Sequence, residues 1–495
     1  MLNMNEKTVD DAVAAHVDKE SLQQDVDTVS DEQRVMEKSI RHKFDRRVLP
    51  LGIIIFLVAH IDRSNMSNAL VLGLKEDTDL SGDRFNVALS MFFVTYILFE
   101  LPANFMCKKL GPRIWLSFIT SGFGLVTMSM AFTTSYGGVM TCRLLLGALE
   151  AGVQPGLMYT YSQFYRRHEM ASRWGIKAAG GSIAGAFGGL LGSGLGNIPR
   201  AGMLVRWRWV FLIEGILTVF VGLGTWVFMP ASAEEASFLT NEEKVLAAQR
   251  IHEENRTGHE DDDLSPWRFS VLKKALWNAN TQLVSLGIMM SLLSLTALSL
   301  FMPSLIKSMG YSSTNAQLLT VPPYVLAACI CIAASFASDR LKTRGLVILC
   351  LTPLTMLGFL LLALVPSTAV RYFALFLTTL AAFTCSPLLL AWVVSNSAGS
   401  SVRAIVAAYA VGEGNVGSII ATWTYRPNSA PRYVTGHLIN FGGACILLIV
   451  SGVTTAYLKR ENRKRAMGGR DYRLTDGKEP EWALGHSHPT YRYTA

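Results

Sequence analysis

The chain has 495 residues, half of them hydrophobic and only 17% charged, with a formal net charge of +8. Soluble domains carry about 25% charged residues, and here the apolar residues gather in blocks of about 20, the length that spans a bilayer. With a mean hydropathy of +0.31, this excludes a soluble enzyme and points to a polytopic helical membrane protein whose main contact is the lipid bilayer. The positive balance does not make it a nucleic-acid binder, because the basic residues sit in short loops and near the end of the chain. The seven cysteines lie in or beside apolar blocks and read as packing residues. Cys329 and Cys331 have the wrong spacing for a metal or redox pair.

In chain order, residues 1–46 are mixed and rather acidic, with Asp10, Asp11, Asp25, Asp27, Asp31 and Glu32. No short basic region leads into an apolar stretch there, so a cleavable signal peptide is not expected. The segment reads as a disordered cytosolic tail. A first half over 47–229 holds six spans, at 48–70, 85–107, 114–132, 139–161, 174–195 and 210–229. A polar stretch at 230–280, with Glu234, Glu235, Glu242, Glu243 and an acidic run at 260–263, reads as a cytosolic linker. A second half over 281–457 holds six more spans, at 281–303, 318–338, 346–365, 372–394, 404–424 and 435–457. Residues 458–495 form a closing tail.

Lysine and arginine in short loops set the orientation. With both termini cytosolic, the inner loops carry Lys108, Lys109 and Arg113, then Arg166 and Arg167, then Arg340, Lys342 and Arg344. Lys459, Arg460, Arg463, Lys464 and Arg465 follow the last span, whereas Arg200, Arg206 and Arg208 run against the rule. The segment Lys108–Arg113 after the second span echoes Asp339–Arg344 after the eighth, as an internal repeat of two pseudo-symmetric halves would. In the fifth span, Gly181, Gly185 and Gly189 recur every four residues, as do Gly188, Gly192 and Gly196. Small residues at that spacing let another helix approach closely, either as static packing or as a surface that slides.

Ionisable groups inside spans carry the functional signal, because burying one is costly. Asp62 and Arg63 lie well inside the first span, and Arg143 and Glu150 lie two helical turns apart in the fourth. Glu100, Glu214 and Glu413 sit in the second, sixth and eleventh spans. One reading makes all of these static ion pairs; it weighs most for the last three, which suit span ends or gates. For the first four the functional reading is favoured. A carboxylate beside an arginine can take a proton, and arginine offers a fork of donors that fits a carboxylate substrate. There is no phosphate-cradling loop, zinc-type motif or nucleophile elbow in the sequence. No cofactor is therefore expected, and an ion gradient is the expected energy source.

These residues fall in longer motifs: His60-Ile-Asp62-Arg63-Ser64-Asn65-Met-Ser-Asn68-Ala69, Phe99-Glu100-Leu-Pro102-Ala-Asn104, Gly111-Pro112-Arg113, Arg143 to Gly156, Trp207 to Gly215, and the ending His488 to Tyr493. Together they resemble the anion:cation symporter branch of the major facilitator superfamily, in particular fungal allantoate, nicotinate and pantothenate permeases, from about Lys43 to the end. The resemblance implies an all-α major facilitator fold of 12 transmembrane helices in two six-helix halves. It implies alternating-access, proton-coupled uptake of a small organic anion, with Asp62 and Glu150 taking protons and Arg63 and Arg143 contacting the substrate carboxylate, Asn65 beside them. Glu100, Gly111, Arg113, Glu214, Asp339 and Arg340 are assigned to gates or structure. The loop after the second span departs from the superfamily pattern, which has Gly and Asp where this chain has Asn104 and Lys108. An exporter of an acidic metabolite, or a non-transporting nutrient sensor, are the alternatives. The expected location is the plasma membrane, with the vacuolar membrane second, and one chain should suffice as a monomer.

Overall fold

The structure, a computed structural model, describes residues 6–199, 202, 204–250, 269–341, 343–398, 400–475 and 487–494. Arg200, Lys342 and the acidic run at 260–263 lie outside the described residues.

The chain opens with one long helix, α1 (Glu6–Val71), where the sequence suggests a disordered tail. The reason is local and tertiary together. No glycine or proline interrupts residues 6–49, so nothing breaks the helix. Its turns beside the linker also have something to bury. Ile40, Phe44 and Val48 pack with Phe164 and Tyr165 and with Ala236, Leu239 and Ala247 of the linker, and the Phe44 and Phe164 rings meet edge to face at 5.2 Å. After the short α2 (Leu74–Asp77), α3 (Arg84–Leu110) and α4 (Pro112–Met130) meet at Gly111, whose φ of 84° favours glycine and places Pro112 at the first helical position.

The fourth span is not the single helix its apolar run suggests. It is α5 (Tyr136–Glu150) and α6 (Val153–Phe164), separated at Ala151 and Gly152. Pro155 has no N–H to offer the Ala151 carbonyl, so the interruption falls directly after Glu150. Next come α7 (Arg167–Leu195) and α8 (Arg206–Phe228), then the linker helices α9 (241–250 as described) and α10 (Phe269–Leu276). Thr240 and Glu243 open α9 as a reciprocal capping box, at 2.9 and 3.3 Å.

The second half contains α11 (Ala279–Ser308), the short α12 (Ser313–Leu318), α13 (Val321–Leu341), α14 (Arg344–Leu364), α15 (Thr368–Ser395), α16 (Ser400–Thr422) and α17 (Val434–Ala466), with α18 (Tyr472–Thr475) in the tail. The eighth span thus begins with a separate turn of helix, α12, ahead of α13. Eight described segments are long and apolar enough to cross a membrane by composition alone: α3, α8, α11, Ser313–Leu341, α14, α15, Ile405–Thr422 and α17. The other four crossings, α1, α4, α5–α6 and α7, carry charge, a break, or many small polar residues. The result is the all-helical, two-times-six fold expected from the sequence.

Across the two halves, α1 packs on α11, α3 on α16 and α7 on α13. Side-chain bonds joining the halves cluster at the end of the bundle away from the termini. Lys307 Nζ and Ser313 Oγ both donate to the Val71 carbonyl, at 3.0 and 2.8 Å. Gln317 donates to the Asn68 carbonyl at 3.2 Å, the Ser90 and Thr422 hydroxyls meet at 2.6 Å, and Arg426 pairs with Asp83.

The glycines of α7 allow close approach on two sides. A Cβ on Gly185 would lie 2.9 Å from the Tyr324 ring of α13, and one on Gly189 would meet Thr320 and Gln317. The positions of Gly188 and Gly192 face Ser64 and Asn68 of α1 instead. A Cβ on Gly181 would face His60 of α1 at 3.6 Å, and one on Gly192 would also approach Gln317 of α12 at 3.2 Å, so each series has neighbours in both halves.

Candidate functional site

Four helices build a buried charged cluster midway along the first half. Helix α1 supplies Asp62 and Arg63 on adjacent residues, which point in different directions, and α5 supplies Arg143 and Glu150. Seven residues on a helix turn through nearly two full turns, so Arg143 and Glu150 share a face. Helix α3 adds Phe92 and Tyr96, and α4 adds Thr127.

Arg63 Nε donates to Glu150 Oε2 at 2.8 Å, with the Glu150 side chain fully buried and Arg63 23% exposed. That residual exposure makes Arg63 the member of the pair that a solute can reach. Arg143 is buried to 1%, and its Nε and Nη1 have no hydrogen-bond partner. Its guanidinium lies 4.6 Å from the centre of Phe92, while that of Arg63 lies 5.5 Å from Phe92 and 4.9 Å from Tyr96. Cation–π attraction holds both cations beside one ring, leaving N–H donors of Arg143 unspent.

The carboxylates show the complementary pattern. Asp62 Oδ1 accepts from Thr127 Oγ1 at 2.6 Å, but Asp62 Oδ2 and Glu150 Oε1 are buried without a donor. The two carboxyl groups are electrostatic neighbours. Ionised carboxylates only accept, so a proton is what would join them. The break at Ala151 and Gly152 then turns the chain toward a second basic group. Gln154, just past the break, accepts from Lys177 Nζ at 2.6 Å, and Lys177 lies 4.2 Å from the centre of Phe56. His60 stacks on the same Phe56 at 4.0 Å and sets its Nδ1 3.1 Å from the Phe56 carbonyl.

The other residues singled out from the sequence divide. Asn65 is fully buried and faces Glu214 of α8, neither of whose carboxylate oxygens has a hydrogen-bond partner. Glu100 is 8% exposed on α3 and lies within the electrostatic reach of Arg63. Glu413 faces Tyr409 in the other half. Gly111, Arg113, Asp339 and Arg340 stand at helix ends apart from the cluster. Arg113 joins α4 to α8 through the Trp226 carbonyl at 2.8 Å and the Trp226 ring. Asp339 pairs with Arg344 at 3.5 Å, and Arg344 donates to Ser395 Oγ at 2.9 Å, so this loop is stitched within its own half.

Lys177, Gln154, Thr127 and Phe92 complete the cluster and were not read from the sequence. Lys177 carried a usable signal, a charge inside the glycine-rich fifth span. The other three are residue types common in any helix; only the packing of α3 on α5, of α4 on α5 and α8, and of α6 on α1 brings them to the charges.

Comparison with known proteins gives a consistent picture. Residues 52–422 match the family model described as Major Facilitator Superfamily. The chain is 33% identical over 466 residues to an uncharacterized transporter of Schizosaccharomyces pombe, covering 92% of this chain and 90% of that one. It is 31% identical over 503 residues to the MFS-type transporter cnsO of Penicillium expansum, covering 94% and 96%. Among solved structures it resembles the proton:xylose symporter XylE bound to 6-bromo-6-deoxy-D-glucose, with a TM-score of 0.64 at 15% identity, covering 85% of this chain and 96% of that one. It also resembles a bacterial homologue of the human lysosomal transporter Spinster in an inward-facing, unoccupied conformation, with a TM-score of 0.60 at 16% identity over 82% and 95%. At such identities these structural likenesses concern the fold.

Proposed function

This chain belongs to the Major Facilitator Superfamily, and from that premise we propose that it is a proton-coupled importer of a small organic anion. It is a multi-pass membrane transporter and not an enzyme. The reading beyond that rests on one observation above the rest: a buried site in which arginine donors and carboxylate oxygens are left unsatisfied together. Arg143 keeps Nε and Nη1 free, while Asp62 and Glu150 each keep one oxygen free.

The charges suggest a cycle. With Lys177 held on Gln154 throughout, ionised Asp62 and Glu150 balance Arg63 and Arg143, and these four residues have little call for an anion. A proton shared by the two carboxyls leaves one net positive charge among the four residues. A substrate carboxylate that takes the fork of Arg143, with Arg63 at the accessible side, restores neutrality. Proton and anion then cross as a neutral set, which keeps the low-dielectric passage affordable. Asn65 and Glu214 would orient the rest of the substrate. Transport runs by alternating access, and the cross-half bonds at the end away from the termini would open in the opposite state. On the orientation set by loop charge, the termini are cytosolic; we place the carrier in the plasma membrane as a monomer.

Two variants separate the roles. Glu150→Gln should abolish uphill, proton-driven accumulation and leave substrate exchange, since the arginines remain. Arg143→Ala should lose substrate binding itself, by about ten- to a hundred-fold for a lost charge-assisted pair. Accumulation like that of the parent in both variants would refute the assignment.

A further inference from the structure

A second cationic site lies in the other half, at the end of the bundle away from the termini. Arg371 stands in the first turn of α15 and His437 in the first turn of α17. Arg371 is 6% exposed, and its Nε and Nη2 are buried with no hydrogen-bond partner. His437 is fully buried; its Nδ1 lies 3.1 Å from the Tyr425 hydroxyl, and its Nε2 has no partner. When the tyrosine donates to Nδ1, the neutral ring carries its proton on Nε2, as another unspent donor. Arg371 lies within electrostatic range of His437 and of Arg432. Arg432 reaches the Ala363 and Leu364 carbonyls at the end of α14, at 3.5 and 3.4 Å.

Among the described residues, no carboxylate is paired with these groups. Between residues 281 and 457 the sequence contains two acidic residues, Asp339 and Glu413. Asp339 is at the opposite end of the bundle, paired with Arg344, and Glu413 faces Tyr409. Across the halves, Asp83 is paired with Arg426 and Asp79 with Arg84. Asp77 accepts from Trp207 at 2.7 Å. A buried arginine beside a second arginine is expensive unless an anion joins them, and two helix N-termini add their own positive ends.

We propose that Arg371, Arg432 and His437 bind a phosphate-type oxyanion, supplied by an anionic phospholipid headgroup. The lipid source follows from what surrounds the site. Leu364, Phe373 and Leu438 are exposed apolar residues on the same three helices, a surface along which acyl chains lie while the headgroup is held at the span ends. This site is separate from the Arg63 and Glu150 cluster and does not depend on the transport reading.

The test uses the full-length protein, titrated with phosphatidylglycerol, with phosphatidylcholine, or with inorganic phosphate, while its melting temperature is followed. Phosphatidylglycerol should stabilise the parent more than phosphatidylcholine does. Its half-maximal concentration should rise about ten-fold in Arg371→Gln, as for loss of one charge-assisted contact. Arg432→Gln, an exposed position less able to disturb folding, should show a smaller rise in the same direction and decides the matter if Arg371→Gln does not fold. Equal stabilisation of the parent by inorganic phosphate, lost in the variants, would keep the oxyanion site and overturn the lipid source. Responses to all three additives that do not differ between parent and variants would overturn the proposal.

Discussion

At the scale of residues, Arg63 and Glu150 hold each other at 2.8 Å in a site where Glu150 is fully buried. Removing one member leaves the other charge unanswered, at about 3–5 kcal/mol for a buried pair. Arg63→Gln should therefore lower the unfolding temperature of the detergent-solubilised protein markedly. The double variant Arg63→Gln/Glu150→Gln should recover most of that loss yet fail to accumulate substrate. Recovery of both stability and transport would mean the pair has only a structural role. The four central charges were legible in the sequence because an ionised group inside an apolar block stands out against its surroundings. Asn65 also stood in a quoted motif, and the structure buries its amide near Glu214 without a hydrogen-bond partner. What was not legible is what selects partners: Phe92 beneath two guanidiniums depends on how α3 packs on α5, and Thr127 on Asp62 depends on how α4 and α1 both pack on α8.

At the scale of elements, α7 shows what a glycine pattern can and cannot announce. The four-residue spacing foretold close helix packing, but not which glycines meet the other half: Gly185 and Gly189 meet Tyr324 and Thr320, while Gly181 and Gly188 meet α1. A side chain at Gly185 would press on the Tyr324 ring. Overpacking of this kind carries a penalty of about 1–3 kcal/mol. Gly185→Val should slow transport about ten-fold or more, with surface expression retained, and Tyr324→Ala should restore part of the rate in the double variant. No rescue would show that the contact does not govern the motion of the halves. Two features of the first half escaped the apolar-block reading for opposite reasons. The break after Glu150 was marked by Gly152 and Pro155, but a hydropathy block is blind to it. The helical course of α1 ahead of residue 47 depends on the absence of breakers, and on the linker that packs against its later turns.

At the scale of the whole molecule, a clasp at the end of the bundle that bears the linker ties α1 to the linker and to the start of α7. Arg173 pairs with Asp45 at 2.6 Å, Arg250 with Glu169 at 2.7 Å, and Lys43 with Glu243 at 2.6 Å. Burial alone would raise the Glu243 carboxyl, but hydrogen bonds from Lys43, the Thr240 amide and Ser39 outweigh it and hold it below the usual carboxylate value. A lowered folded pKa means that the clasp gains stability above the ordinary glutamate range, about 4.3, and loses it as pH falls through the lower folded value. Hydrogen exchange over 241–250 should thus stay slow across neutral pH and quicken only in acid, whereas Lys43→Gln should quicken it at neutral pH. Equal exchange in parent and variant would remove Lys43 and Glu243 from the clasp.

The two six-helix halves were readable from span count, loop charge and the echo of 108–113 in 339–344, because bilayer thickness imposes its own period on a sequence. Substrate identity was not readable, since the charges mark where a carboxylate would bind and not the shape of what it belongs to. The most direct test of the transport account is uptake of a panel of labelled carboxylates into vesicles containing the protein, with and without an inward-acid pH gradient. The account predicts accumulation of a carboxylate above its external concentration only when the gradient is imposed. Accumulation that ignores the gradient, or none across the panel with the protein confirmed in the membrane, would contradict it.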